Sequence, residues 1–239
     1  SAASDVYKRQ ELAASDWVLV SGMVAQLEGI EELVARCRRL GVGVIAGGPL
    51  VSGAFRELRA RGFEPTVWFL GEAERLLPEL VRDLDAGIPR AVYAHVADDE
   101  RAEEVRDVFG ADARVLIEAL PSLETSPVPR FDLLELSAYH SMAVQASRGC
   151  PIGCEFCDIW TQFGRKSRTA SSTRILEQLD TLFSLGWRGR VFIVDDNFIG
   201  NVASAAELSD ALASWQEAPK RFHLPPHVAA GIGPRRMRS

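Results

Sequence analysis

"SRGCPIGCEFCDIW" (Ser147–Trp160) holds three of the chain's four cysteines within eight positions, spaced Cys150-x3-Cys154-x2-Cys157. A strand-like run, "MAVQASRG" (Met142–Gly149), leads straight into it. A helix follows, with Ile175, Leu176, Leu179, Leu182 and Phe183 at one-face spacing. "RVFIVDDNF" (Arg190–Phe198) then reads as another strand ending in acids, and Val202 to Trp215 as one more helix. Strand, helix, strand, helix in short units implies parallel pairing through crossover helices. The cysteine loop therefore sits where a strand ends.

The stretch before it has the same texture. "DWVLVSG" (Asp16–Gly22) is a short apolar run expected as a buried strand. Leu27, Ile30, Leu33, Val34, Cys37 and Leu40 recur at helical spacing, and Gly41 is placed to stop that helix. "VGVIAGGP" (Val42–Pro49) is a second strand, followed by a short helix through Phe55 and Leu58. "TVWFLG" (Thr66–Gly71) is a third strand. Glu72 is expected to open a helix with Leu76, Leu77, Leu80, Val81 and Leu84 on one face. "AVYAHV" (Ala91–Val96) reads as a further strand. Near-continuous apolar strands of this kind fit a sheet covered on both faces. "ALPSLETSPVPRFDLLEL" (Ala119–Leu136) has three prolines and no period, so it reads as a linker between domains.

Composition narrows the functional class. The formal net charge of -6, without a basic run before the tail, argues against a general nucleic-acid binder. No apolar stretch approaches the roughly 18 residues that span a bilayer, and no secretory leader pattern appears. The expectation is a cytoplasmic protein. "SAASDVYKRQ" (Ser1–Gln10) has no period and reads as a fragment edge or sequencing artefact, the alternative being a frayed natural terminus. "KRFHLPPHVAAGIGPRRMRS" (Lys220–Ser239) reads as a disordered tail or a frame-shifted translation.

Three cysteines cannot all pair in disulfides, and there is no secretory signal. Structural zinc usually takes four protein ligands, often from two Cys-x2-Cys-like knuckles. A second knuckle is missing, and His140, His223 and His227 are the nearby histidines left to complete a zinc site, which keeps zinc open but unfavoured. A [4Fe-4S] cluster holds each iron by one cysteine, so three cysteines leave one iron open for another ligand. That vacancy accounts for the number three better than a structural role does.

The Cys-x3-Cys-x2-Cys loop after a strand resembles the signature of radical S-adenosylmethionine (radical SAM) enzymes. The resemblance implies that Cys150, Cys154 and Cys157 hold a [4Fe-4S] cluster and that S-adenosylmethionine completes it. It implies reductive cleavage of that cofactor to a 5′-deoxyadenosyl radical, which activates a C–H bond. The family's aromatic residue before the third cysteine, near the adenine, corresponds to Phe156. The acids and amide at Asp195, Asp196 and Asn197 fall where the family contacts S-adenosylmethionine; the alternative is that an acid merely caps the next turn. Arg165, Lys166 and Arg168 read as a solvated loop ahead of an anion site, and Trp160 and Phe163 as packing.

The first region resembles the cobalamin-binding domain that precedes the barrel in one radical SAM class, whose fold is a Rossmann-like doubly wound α/β sheet. Ser21, Gly22, Gly47 and Gly48 match in order the segments that accommodate the cobalamin tail there, with Met23 in place of the usual leucine. By themselves these residues read as ordinary turn chemistry. "FLGEAERLLPEL" (Phe69–Leu80) resembles the class's Gly-Glu-x-Glu segment. The Asp-x-His-x-x-Gly motif with its cobalt-ligating histidine does not occur, so no cobalt ligand is named.

The expected organisation is a fragment edge at 1–10, a cobalamin-binding-like domain with its start missing at 11–118, a linker at 119–141, the first part of a radical SAM barrel at 142–219 and an aberrant tail at 220–239. A complete barrel needs roughly 200 residues or more, so the chain reads as truncated at both ends. The resemblance is to the cobalamin-binding radical SAM group that includes the hopanoid methylases. It implies a C-methyltransferase acting on a small-molecule or lipid-like substrate, with an electron donor such as flavodoxin or ferredoxin, and a fragment inactive alone. The rivals are a radical SAM enzyme without cobalamin and a non-enzymatic zinc or regulatory protein with a Rossmann-like sensor domain.

Overall fold

The computed structural model describes residues 11–217, which divide into two compact units between Pro121 and Ser122. The stretches expected as a fragment edge and an aberrant tail lie outside the described residues, as do His223 and His227.

In the first unit five parallel strands lie side by side in sequence order: β1 (Trp17–Ser21), β2 (Gly43–Gly47), β3 (Val67–Leu70), β4 (Val92–Val96) and β5 (Arg114–Ile117). Helices α1 (Leu27–Leu40), α2 (Gly48–Ala60), α3 (Leu77–Asp85) and α4 (Asp99–Phe109) are the crossovers. The strand's two-residue period sends Val44, Ala46, Trp68, Leu70 and Ala94 to one face, against α1, α2 and α4. Ile45, Val67, Phe69 and Tyr93 go to the other face, against Leu76 and Leu80 at α3. Both faces of β2 to β4 are thus covered, which is why these strands read as continuous apolar runs. Cys37 is fully buried among the α1 contacts, and burial pushes its thiol up from its ordinary range, so it is an inert core residue.

Three details depart from expectation. Among the described residues β1 is the sheet edge rather than a buried strand, and Leu19 is 65% exposed there. Helix α3 opens at Leu77, not Glu72, because Pro78 sits at its first turn, where its missing N–H costs nothing. Leu76 and Leu80 are buried, whereas Leu77 and Val81 face outward. Finally, α4 and β5 had no strong sequence signal. Only Ala102 and Val105 of α4 are buried, and its start is set by the Asp98 carboxylate, which accepts from the Arg101 amide at 2.9 Å.

In the second unit β6 (Ser141–Val144) and β9 (Arg190–Ile193) pair in parallel, with Ser141 opposite Arg190 and Val144 opposite Ile193. The crossover helix α6 (Ser172–Ser184) packs Ile175, Leu179 and Leu182 onto Met142, Val144 and Val191. Helix α7 (Val202–Glu217) adds Leu208, Leu212 and Trp215, whose indole donates to Asp180 at 3.0 Å. Each fully buried Leu or Ile is worth about 1.5–3 kcal/mol relative to exposure, so this shared apolar stripe holds the β/α unit together.

The stretch expected as a linker, 119–141, belongs to this second unit from Ser122 onward. Its prolines suppress a period, but it forms 3-10 turns at Leu123–Thr125, Phe131–Leu133 and Leu136–Ala138. Leu123 and Phe131 are buried, and Phe131 joins the second core. The Glu124 carboxylate accepts from the Ser171 hydroxyl at 3.0 Å at the start of α6, and Arg174 donates to the Ser126 carbonyl.

Candidate functional site

The cysteine loop is an excursion between β6 and α6 with a pinned neck. A two-residue antiparallel clip pairs β7 (Ser147–Arg148) with β8 (Arg168–Thr169), and the Ala170 amide donates to the Ala146 carbonyl at 2.8 Å. Inside the neck the Cys150 amide donates to the Gly164 carbonyl at 3.2 Å, and the Cys157 amide to the Cys154 carbonyl at 3.1 Å. Gly149 at φ 86° makes the crossing. A Cβ there would lie 2.5 Å from the Lys166 carbonyl oxygen and 2.8 Å from that of Phe163, so only glycine lets the two strands of the neck pass. The short helix α5 (Ile159–Phe163) closes the loop, and the Arg165 guanidinium stacks 4.1 Å from the Trp160 ring centroid. Trp160 and Arg165 thus support the loop from within.

Cys150, Cys154 and Cys157 are free thiols, each partly exposed. Among the described residues, no three His, Cys, Asp or Glu side chains are grouped so as to share one metal ion. Phe156 is 94% exposed between Cys154 and Cys157, an aromatic ring with little protein to pack on. His140, one of the zinc candidates, is exposed beside the start of β6.

The parallel pairing of β6 and β9 brings the acids to this loop. Asp195 accepts from the Ala146 amide at 2.7 Å with one oxygen and from the Ser147 hydroxyl at 2.8 Å with the other. Burial pushes its carboxyl above the ordinary range, with those bonds opposing. Asp196 is also pushed up, first by burial, then by the charges of Asp195 and Asp158, with Arg148 opposing. Asn197 turns the other way, and its amide donates to Cys150 Sγ at 3.4 Å. Its Oδ1 is buried without a partner. So Asp195 ties the strand end to the loop neck, while Asn197 is the member that reaches a cysteine. Ser147, at 3% exposure, joins the neck through its bond to Asp195 without being a candidate from sequence; its place directly before Arg-Gly-Cys is the available signal.

Ser21, Gly22, Gly47 and Gly48 also stand together, at the carboxyl ends of β1 and β2. Ser21 pairs with Gly47, and the Leu50 amide donates to the Gly22 carbonyl at 3.0 Å. Gly48 has φ 81°, and a Cβ on it would fall 2.0 Å from Ser21 Oγ. The glycine is therefore required by the neighbouring turn itself, before any ligand is considered. Met23 and Val24 are exposed beside it. On β4, His95 is buried with both ring nitrogens unpartnered.

No family model matches the chain. An uncharacterised methyltransferase of Synechocystis is 40% identical over 214 residues, covering 87% of this chain and 35% of that protein. The hopanoid C-2 methylase of Rhodopseudomonas palustris is 31% identical over 209 residues, covering 87% and 35%. The chain is a relative of the hopanoid methylases. It spans about a third of the length of these curated relatives, 35% in each case. TsrM from Kitasatospora setae, a radical S-adenosylmethionine methyltransferase solved with cobalamin and a [4Fe-4S] cluster bound, matches with TM-score 0.61 at 17% identity over 90% of this chain and 45% of that one. The same enzyme has been solved with tryptophan and an S-adenosylmethionine analogue. That likeness is one of fold: the α/β architecture of the hopanoid methylase relative is shared with TsrM. No described helix is long and apolar enough to cross a membrane.

Proposed function

We propose that the chain is the cobalamin-binding unit and the first part of the radical-generating unit of a methyltransferase. The observation that carries the reading is the pinned loop with three free thiols at the end of β6, with the Asn197 amide on one of them. The donor set fits a [4Fe-4S] cluster. Each thiolate takes its own iron, so the three sulfurs need not share one ion, as zinc would require. The exposed ring of Phe156 and the orphaned Oδ1 of Asn197 are further groups that a bound S-adenosylmethionine would cover or satisfy. The cluster and S-adenosylmethionine together supply a radical able to activate a C–H bond.

The chain's own residues do the rest. Cys150, Cys154 and Cys157 bind; Gly149 and the β7–β8 clip hold the loop closed at its base; Asp195 locks β9 to that base. In the first unit the Ser21–Gly48 turn, flanked by exposed Met23 and Val24, offers a hydroxyl and apolar surface to the tail of a cobalamin. The names of the relatives, a methyltransferase and a methylase, support methyl as the transferred group; the small-molecule or lipid-like substrate and the flavodoxin- or ferredoxin-class electron donor are part of the same proposal. The test is anaerobic reconstitution of the full chain with iron, sulfide and hydroxocobalamin. Co-elution of cluster and corrin after gel filtration supports the reading; a chain carrying neither refutes it.

A further inference from the structure

The Asn197 side chain is held in place. The backbone carbonyl of Asn197 accepts from the Gly200 amide at 3.0 Å, which fixes the turn, and a Cβ at Gly200 would lie 3.3 Å from both Cγ and Nδ2 of Asn197, so the side-chain amide is packed on that glycine. Two residues earlier, Asp195 anchors the turn to Ala146 and Ser147. From this base Nδ2 donates to Cys150 Sγ at 3.4 Å, within reach for a sulfur acceptor. The bond links residues 47 apart in sequence and depends on the β6–β9 pairing.

We propose that Asn197 sets the reduction potential of the cluster through this N–H···S bond, resting on the reading of Cys150 as a cluster ligand. Reduction adds one electron, from a low-potential reductant, with no bond broken and no proton moved. The added negative charge spreads onto the cluster sulfurs and the cysteine thiolates. A hydrogen-bond donor to such a sulfur stabilises the reduced state more than the oxidised one and so raises the potential. Position 197 closes an Asp-Asp-Asn run, and the neutral donor is the member placed against sulfur. A carboxylate there would remove the donor and add a charge, and both changes lower the potential.

The experiment compares the full chain with Asn197→Ala and Asn197→Asp after anaerobic reconstitution. Iron and sulfide content is measured first. The cluster is then titrated with dithionite and mediators, followed by electron paramagnetic resonance. In the alanine variant the oxidised-to-reduced ratio at a fixed poise is expected to rise about tenfold, a midpoint about 59 mV lower for a one-electron couple. The aspartate variant is expected to fall further. Unchanged midpoints at full cluster content overturn the inference alone. Loss of the cluster from both variants overturns it in favour of a structural role; if only the alanine variant fails to assemble, the aspartate midpoint decides. A wild-type chain that takes up no cluster overturns the underlying reading as well.

Discussion

Asp195 is the joint on which the candidate site hangs, and replacing it separates shape from charge. In Asp195→Ala the Ala146 amide and the Ser147 hydroxyl both lose their acceptor, and Ser147 is almost fully buried. Hydrogen bonds to charged groups are worth about 1.5–3 kcal/mol each. The carboxylate's own desolvation offsets part of that, and it is the larger influence on this group, since its pKa is raised despite both bonds. A net loss of about 2 kcal/mol is nevertheless expected, because alanine leaves two donors, one of them on buried Ser147, without an acceptor, and an unsatisfied buried polar group costs about 1–3 kcal/mol. Asp195→Asn behaves differently. Its Oδ1 accepts from the Ala146 amide, and its Nδ2 donates to the Ser147 oxygen, which accepts as readily as it donates. The asparagine variant is therefore expected to be at least as stable as the parent at neutral pH. The pH dependence carries the same sign. A carboxyl raised in the folded state contributes stability fully present below its unfolded pKa and lost as pH rises through its folded pKa. The parent's local stability falls across that window, and Asp195→Asn flattens the slope, leaving the share due to Asp196. The assay is hydrogen exchange at the Ala170 and Val194 amides, which donate to Ala146 and Val144 on either side of the neck. About 2 kcal/mol corresponds to roughly 30-fold faster exchange in the alanine variant. Equal exchange in the alanine and asparagine variants would refute the joint.

Two further substitutions test the glycine turns. Gly48→Ala places a Cβ against Ser21 Oγ on a left-handed backbone, which by itself costs about 1–2 kcal/mol. The first unit's Tm is expected to fall by roughly 4–8 °C per kcal/mol, with partial recovery in the Ser21→Ala double variant; an unchanged Tm would leave ligand approach as the reason for the glycine. Gly149→Ala forces apart the backbone at Lys166 and Phe163, so it is expected to abolish cluster uptake while the first unit unfolds at its usual temperature. Full iron and sulfide content in that variant would contradict the pinned neck.

Much of the fold was legible because burial leaves a period. Ile30, Val34 and Cys37 of α1, and Ile175, Leu179 and Leu182 of α6, are buried at the spacing that marked them. What escaped had weak burial or depended on partners far away. Helix α4, "DERAEEVRDVF", is charged nearly all round and has two buried residues. The proline-rich stretch after Pro121 has no period yet packs Leu123 and Phe131, since packing without regular structure leaves no repeat to read. At the site, the three cysteines and the acids after β9 were visible as residue types at strand ends. Their division of labour was not. Asp195 serving the neck and Asn197 serving Cys150 follow from the register of β6 on β9, which no local pattern encodes. By itself Gly48 reads as turn chemistry and only by resemblance toward a ligand, and the structure supplies an internal neighbour, Ser21 Oγ, that demands the glycine first.

The central claim is that Cys150, Cys154 and Cys157 hold an iron–sulfur cluster, and metal and sulfide analysis tests it most directly. After anaerobic reconstitution and desalting, the chain is expected to carry about four iron and four sulfide per molecule. Cys154→Ala is expected to lose that content with the first unit still folded by circular dichroism. Stoichiometric zinc without sulfide, or unchanged iron in Cys154→Ala, would contradict the account.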